Sequence, residues 1–162
     1  MGESDLYPSI EKWLNNYLRE RYPKFQVKTT YRSSTRTLEN VLREFGLNIS
    51  RALLLNIKID VLGILRYGTR YGTQEELVFV EVKDDTLTLK DLGQLWGYTQ
   101  LINPLESFLI SPKGLGTLSE LYNTLKRRDL FAYGTKRERI MRVAVWLENN
   151  GSIDYGSMIP HS

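Results

Sequence analysis

Apolar residues recur along this chain at helical spacing, then at every second position, then at helical spacing again, and that alternation predicts an α/β fold. Ile10, Trp13, Leu14, Tyr17 and Leu18 form a helical stripe, with Ser4 and Asp5 as candidate caps, Pro8 in the first turn and Tyr22-Pro23 as the stop. Phe25, Val27, Thr29 and Tyr31 alternate as a strand that ends in Ser33-Ser34. Leu38, Val41, Leu42 and Phe45 then predict a short helix over 37–45, stopped by Gly46.

From Leu53 the period changes to two. A long strand is predicted over 53–62, with Leu53, Leu55, Ile57, Ile59 and Val61 on one face and Leu54, Asn56, Lys58, Asp60 and Leu62 on the other. A second strand, 77–83, sets Val78, Val80 and Val82 against Leu77, Phe79, Glu81 and Lys83. Between them lies a tandem repeat, Arg66-Tyr67-Gly68-Thr69 and Arg70-Tyr71-Gly72-Thr73, whose glycines suit turns. If the two strands pair antiparallel about the middle of this repeat, Asp60 falls opposite Glu81 with Cβ atoms about 5 Å apart, and Lys58 falls opposite Lys83.

Thr88 with Asp91 reads as a capping box opening a helix built on Leu89, Leu92, Leu95, Trp96, Leu101 and Ile102. Residues 107–111 form a short strand, parallel to a neighbour because a helix precedes it. Thr117 and Glu120 open another helix, 139–148 alternates as a strand, Asn149-Asn150-Gly151 turns, and the residues from about 152 read as a tail. The expected architecture is one α/β domain over 1–162 with a central mixed sheet flanked by helices.

Composition narrows the chemistry. The 162 residues, 41% hydrophobic and 25% charged, are enough for a single core. No apolar run approaches the roughly 18–20 residues of a membrane span and the N-terminus lacks a signal-peptide pattern, so an intracellular location is expected. There is no cysteine, and the one histidine, His161, is penultimate. Thiolate nucleophiles, histidine-dependent triads and conventional zinc sites are therefore excluded, and any metal has oxygen ligands, which favours Mg²⁺ or Mn²⁺.

The net charge of +3 is unevenly spread: seven basic residues and two acids lie between Lys126 and Arg142. Such a patch suits a polyanion, although solvated charge runs are common. Like charges directly opposed on a sheet destabilise it. A cation between Asp60 and Glu81 and a phosphate near Lys58 and Lys83 resolve both conflicts, and Asp60 and Glu81 are the candidate metal ligands. Gln94 and Tyr98 share a helix face just after that strand. Glu11 lies one position off the first stripe, within reach of the sheet, though exposure is the commoner fate of a helical glutamate.

Ile59-Asp60, Glu81-Val82-Lys83 and Gln94-Leu95-Trp96-Gly97-Tyr98 together resemble the PD-(D/E)xK nuclease superfamily, and the glutamine four residues before a tyrosine is similar to its RecB-type exonuclease branch. The acidic first helix, the following strand and the serine loop resemble archaeal Holliday-junction resolvases. The resemblance covers about 10–110. It departs from the pattern at Ile59, where the motif has proline, and at the extra helix over 37–45.

The resemblance implies a restriction-endonuclease-like core (αβββαβ). It also implies a catalytic set of Asp60, Glu81, Lys83, Glu11, Gln94 and Tyr98, with Asp60 and Glu81 on the metal. Arg32, Ser33, Lys58, Arg127 and Arg128 are candidate contacts to DNA. The expected activity is metal-dependent hydrolysis of DNA phosphodiester bonds, either structure-specific as in junction resolvases or exonucleolytic. A homodimer is the natural assembly for cutting two strands symmetrically. The alternative is a nucleic-acid-binding or assembly protein that keeps the fold without cleaving.

Overall fold

The chain was analysed as a computed structural model, which describes residues 2–47 and 56–161. A 3-10 turn, Glu3–Leu6, leads into α1, Tyr7–Arg21, with Pro8 in its first turn. Ser4 and Asp5 thus lie in the lead-in rather than capping the helix; the Asp5 carboxylate accepts from the Gly2 N–H. Next come β1, Gln26–Thr30, and α2, Leu38–Glu44, whose Thr37 cap accepts from the Asn40 N–H at 3.3 Å.

The hairpin β2, Val61–Thr69, and β3, Gly72–Val82, is followed by α3, Leu89–Ile102, where Thr88 and Asp91 form the capping box that the sequence predicts. The chain then makes β4, Glu106–Ser111, α4, Thr117–Asn123, β5, Ala132–Tyr133, β6, Arg139–Leu147, and β7, Ser152–Ile153.

Among the described residues seven strands form one mixed sheet in the order β1-β2-β3-β4-β6-β5, with β7 also on β6. β3, β4 and β6 run parallel, so Glu81 and Val82 lie beside Leu109 and Ile110 at one end of the sheet. Successive residues of each strand face opposite layers. Val78, Val80 and Val82 pack with Ile10, Trp13, Leu14 and Leu18 of α1, while Leu77 and Phe79 pack with the α2, α3 and α4 layer. Gly63 brings α1 close to β2: a Cβ there would stand 2.7 Å from Leu18 Cδ1.

The first long strand begins later than predicted. Its expected start, 53–55, lies outside the described residues, and 56–59 carry no ladder. The Ile57 carbonyl accepts from the Leu38 N–H and the Ile59 N–H donates to the Ser33 carbonyl, so this apolar segment is tied to the first residue of α2 and to a 3-10 turn at Arg32–Ser34 instead. The strand continues instead through Arg66–Thr69, and the two halves of the repeat meet across a turn at Arg70-Tyr71, with Gly68 opposite Thr73 and Thr69 opposite Gly72.

The C-terminal residues are not a loose tail. β7 pairs with β6, and Ile159, fully buried, exchanges two backbone hydrogen bonds with Val143, so the outer edge of β6 is covered. No helix among the described residues is long and apolar enough to cross a membrane.

Candidate metal and phosphodiester site

The hairpin register is the predicted one. Val61 pairs with Val80 and each later pair follows in step, which places Asp60 beside Glu81 at the mouth of the ladder. Asp60 bends out of the strand, and its carboxylate continues the pairing in place of backbone: Oδ2 accepts from the Val82 N–H at 2.8 Å, while the Asp60 N–H donates to Glu81 Oε1 at 3.4 Å. Asp60 Oδ1 accepts from the Tyr7 hydroxyl at 2.9 Å. The carboxylate is thus held from both sides, by the first turn of α1 and by the end of β3.

Glu81 is 5% exposed. Burial pushes its carboxyl well above the usual glutamate range, and the Asp60 carboxylate beside it pushes in the same direction, against a smaller opposing effect from Lys83. Burial also raises the Tyr7 hydroxyl, with Asp60 adding to the rise.

Two residues of this cluster were not anticipated. Tyr7 reads as one more apolar residue beside the helical stripe, and Glu3 as a first-turn acid. Burial raises the Glu3 carboxyl, the Lys83 ammonium draws it back down, and Asp60 and Asp84 add to the rise, so Glu3 belongs to the same electrostatic cluster. No spacing rule reveals either one, because each meets its partners across more than fifty residues of chain. Removing the Tyr7 hydroxyl should destabilise the fold by about 1.5–3 kcal/mol, the worth of a hydrogen bond to a charged group. Chemical denaturation of Tyr7→Phe measures this, and a loss under about 0.5 kcal/mol would mean that the Val82 N–H alone holds Asp60.

Glu11, expected at the site, is half-buried; its carboxyl is raised by burial alone, and it makes no hydrogen bond or ion pair among the described residues. The acid that reaches the cluster is two helical turns earlier. Ser33 is fully buried with its hydroxyl donated to the Ile59 carbonyl at 2.5 Å, so it braces the residue before Asp60 and presents nothing to a ligand.

Arg32 is engaged by Glu44 at 3.1 Å and lies over the Phe45 ring. Lys58 is exposed but outside any strand, so the predicted Lys58–Lys83 opposition does not form; the Lys83 N–H donates to the Ile110 carbonyl instead. Gln94 Nε2 donates to the Tyr98 hydroxyl at 3.4 Å on the outer part of α3, and no hydrogen bond joins either to Asp60, Glu81 or Lys83.

The basic segment is also apart from the pair. Arg127 makes two 3.0 Å bonds to Asp129, and Arg128 is exposed beside it. Arg139, at the start of β6, donates to the Asn103 carbonyl at the opposite end of the sheet from Glu81.

Among the described residues no three acidic or histidine side chains form a metal-binding group. The residues that could hold a cation are the Asp60–Glu81 pair. Two carboxylates suit Mg²⁺, which keeps several waters and completes its shell with substrate oxygens. A cation there would also relieve the conflict that raises Glu81. Comparison with protein-family models, with curated proteins and with solved structures finds no match to this chain.

Proposed function

We propose that this protein is a divalent-metal-dependent deoxyribonuclease of the restriction-endonuclease-like type that hydrolyses phosphodiester bonds at the Asp60–Glu81 end of the sheet. The observation that carries the reading is the opposed carboxylate pair, Glu81 buried, with Lys83 two residues beyond Glu81 just past the end of β3. A folding role alone gives no reason to set Glu81 in the sheet against a second acid, since each disfavours the charge of the other.

Asp60 and Glu81 would hold Mg²⁺ or Mn²⁺. When bound, such an ion supplies Lewis acidity, a water acidic enough to attack at neutral pH, and countercharge for the phosphate. Tyr7 and the Val82 N–H orient Asp60. Lys83, whose charge acts on both Glu81 and Glu3, orients the attacking water or the scissile phosphate.

The test is cleavage of linear, single-stranded, flapped and four-way DNA in Mg²⁺, Mn²⁺ and EDTA, repeated with Asp60→Ala and Lys83→Ala. Metal-dependent cutting is expected, lowered by about 10²-fold or more in each variant, the scale of losing a positioned catalytic group. Cutting that survives both substitutions would place the chemistry elsewhere. Binding without cutting in either metal would favour a silent nucleic-acid-binding protein.

A further inference from the structure

The carboxyl ends of β3, β4 and β6 enclose an open cleft of about 630 Å³ that shares Asp84 with the acidic cluster and is otherwise unassigned. Its floor is Val145 to Leu147 of β6, and its polar rim is Asp84, Lys113, Glu148, Asn149 and Asn150. Its size is that of small-ligand sites, roughly 300–1,000 Å³. It lies at the strand ends where open α/β sheets bind ligands. Lys113, Glu148, Asn149 and Asn150 are exposed, and none of their side chains has a hydrogen bond or ion pair among the described residues.

The rim chemistry says what fits. One lysine against two carboxylates repels a run of phosphates. The amides of Asn149 and Asn150 each donate and accept, and carboxylates accept from exocyclic amino groups, which are the pairings that read base edges. β6 stands two strand spacings from β3, about 10 Å. A stacked strand advances about 3.4 Å per nucleotide, and an unstacked one further. A base a few nucleotides from a phosphate at Glu81 therefore spans the distance, provided that it is unpaired.

We propose that this cleft binds an unpaired nucleobase a few nucleotides from the scissile phosphate, with Asn149 and Asn150 on the base edge and Lys113 on the phosphate adjoining that base, and that the preferred substrate is therefore single-stranded or flapped DNA. The proposal rests on the nuclease reading for its register and deepens it by naming the substrate class.

The experiment is fluorescence anisotropy of labelled single-stranded dodecamers of different base composition, and of a duplex of the same length, in Ca²⁺. Wild type, Lys113→Ala and the double variant Asn149→Ala/Asn150→Ala are compared, with thermal unfolding as the folding control and Mn²⁺ binding by calorimetry. The Asn variant should lose about tenfold in single-strand affinity and level the preference among bases, with duplex binding and Mn²⁺ affinity unchanged. Lys113→Ala should weaken all single strands alike.

Unchanged single-strand binding in both variants, equal losses for single strand and duplex, or no single-strand binding by wild type would each overturn the cleft assignment. Cleft-dependent binding in a wild type that neither takes up Mn²⁺ nor cuts would leave the cleft standing and remove the nuclease reading.

Discussion

Glu81→Gln should give a protein that is more stable than wild type in EDTA at neutral pH and that neither binds Mn²⁺ nor cuts DNA. Burial first, and Asp60 second, raise the Glu81 carboxyl above its ordinary value of 4.5, so its ionisation is harder in the folded chain than in the unfolded one. The sign follows by linkage. The folded state binds the proton more tightly, so the penalty is absent below the ordinary glutamate range, grows as pH rises through the shifted range, and is complete above it.

A glutamine removes that penalty and keeps the geometry. Its carbonyl accepts from the Asp60 N–H as Oε1 does, and its amide donates toward the Asp60 carboxylate. The gain should be on the order of 1–3 kcal/mol, the scale of an uncompensated buried polar group, shrinking toward zero below about pH 4.5, the ordinary glutamate value. Cleavage should fall by more than the roughly 10–100-fold that even an outer partner of a metal ligand is worth. Denaturant melts across pH with paired Mn²⁺ titrations measure both. A variant less stable than wild type at pH 7.5 would show that the Asp60–Glu81 contact is already relieved within the folded chain.

The opposition of Asp60 and Glu81 was legible because strand alternation and a turn centre are enough to set a hairpin register. Sliding the pairing by one residue would turn Phe79 and Leu62 from the α2, α3 and α4 layer into the α1 layer, which is packed for smaller valines. The position of the strand along the chain was less legible. Residues 53–59 are as apolar as a strand, and only tertiary partners, the Ser33 and Leu38 backbones, show that 57 and 59 are bound to the start of a helix and to a 3-10 turn.

The contributions of Glu3 and Tyr7 were illegible for a related reason. A tyrosine that donates one hydrogen bond to an acid fifty-three residues away looks, in sequence, like any residue of an amphipathic helix. Charge counting reads composition and not pairing: the basic run around Arg127 stands out in the sequence, while the Arg127–Asp129 ion pair is seen only in the structure. The cleft residues Asn149 and Asn150 read only as a turn.

Glu106→Ala should do the reverse of Glu81→Gln: it should lower stability and leave the site's cation affinity intact. Glu106 is 8% exposed at the amino end of β4. It accepts from the Tyr17 hydroxyl at 2.7 Å and from the Tyr22 hydroxyl, and pairs with Arg21 Nε at 3.1 Å. Tyr17 stacks on Trp13, and the Arg21 guanidinium lies near both tyrosine rings, so one carboxylate gathers the last turn of α1 onto the sheet.

Removing one member of a buried ion pair typically costs 3–5 kcal/mol, and about 3 is expected here because half of the Arg21 side chain is exposed. On a chain of this size that is roughly a 10 °C fall in Tm. Glu106→Gln, which keeps the shape and an acceptor, should lose less.

α1 is thus tied at both ends, by Tyr7 to Asp60 and by Tyr22 and Arg21 to Glu106, some 20 Å apart along a helix of this length. Between the ties, Ile10, Leu14 and Leu18 are fully buried against the sheet and hold the helix in place without either one. The losses from Tyr7→Phe and Glu106→Ala should therefore add to within about 0.5 kcal/mol, as distant sites do. A larger coupling would mean that α1 shifts as a rigid body, and Mn²⁺ affinity would then fall in Glu106→Ala as well.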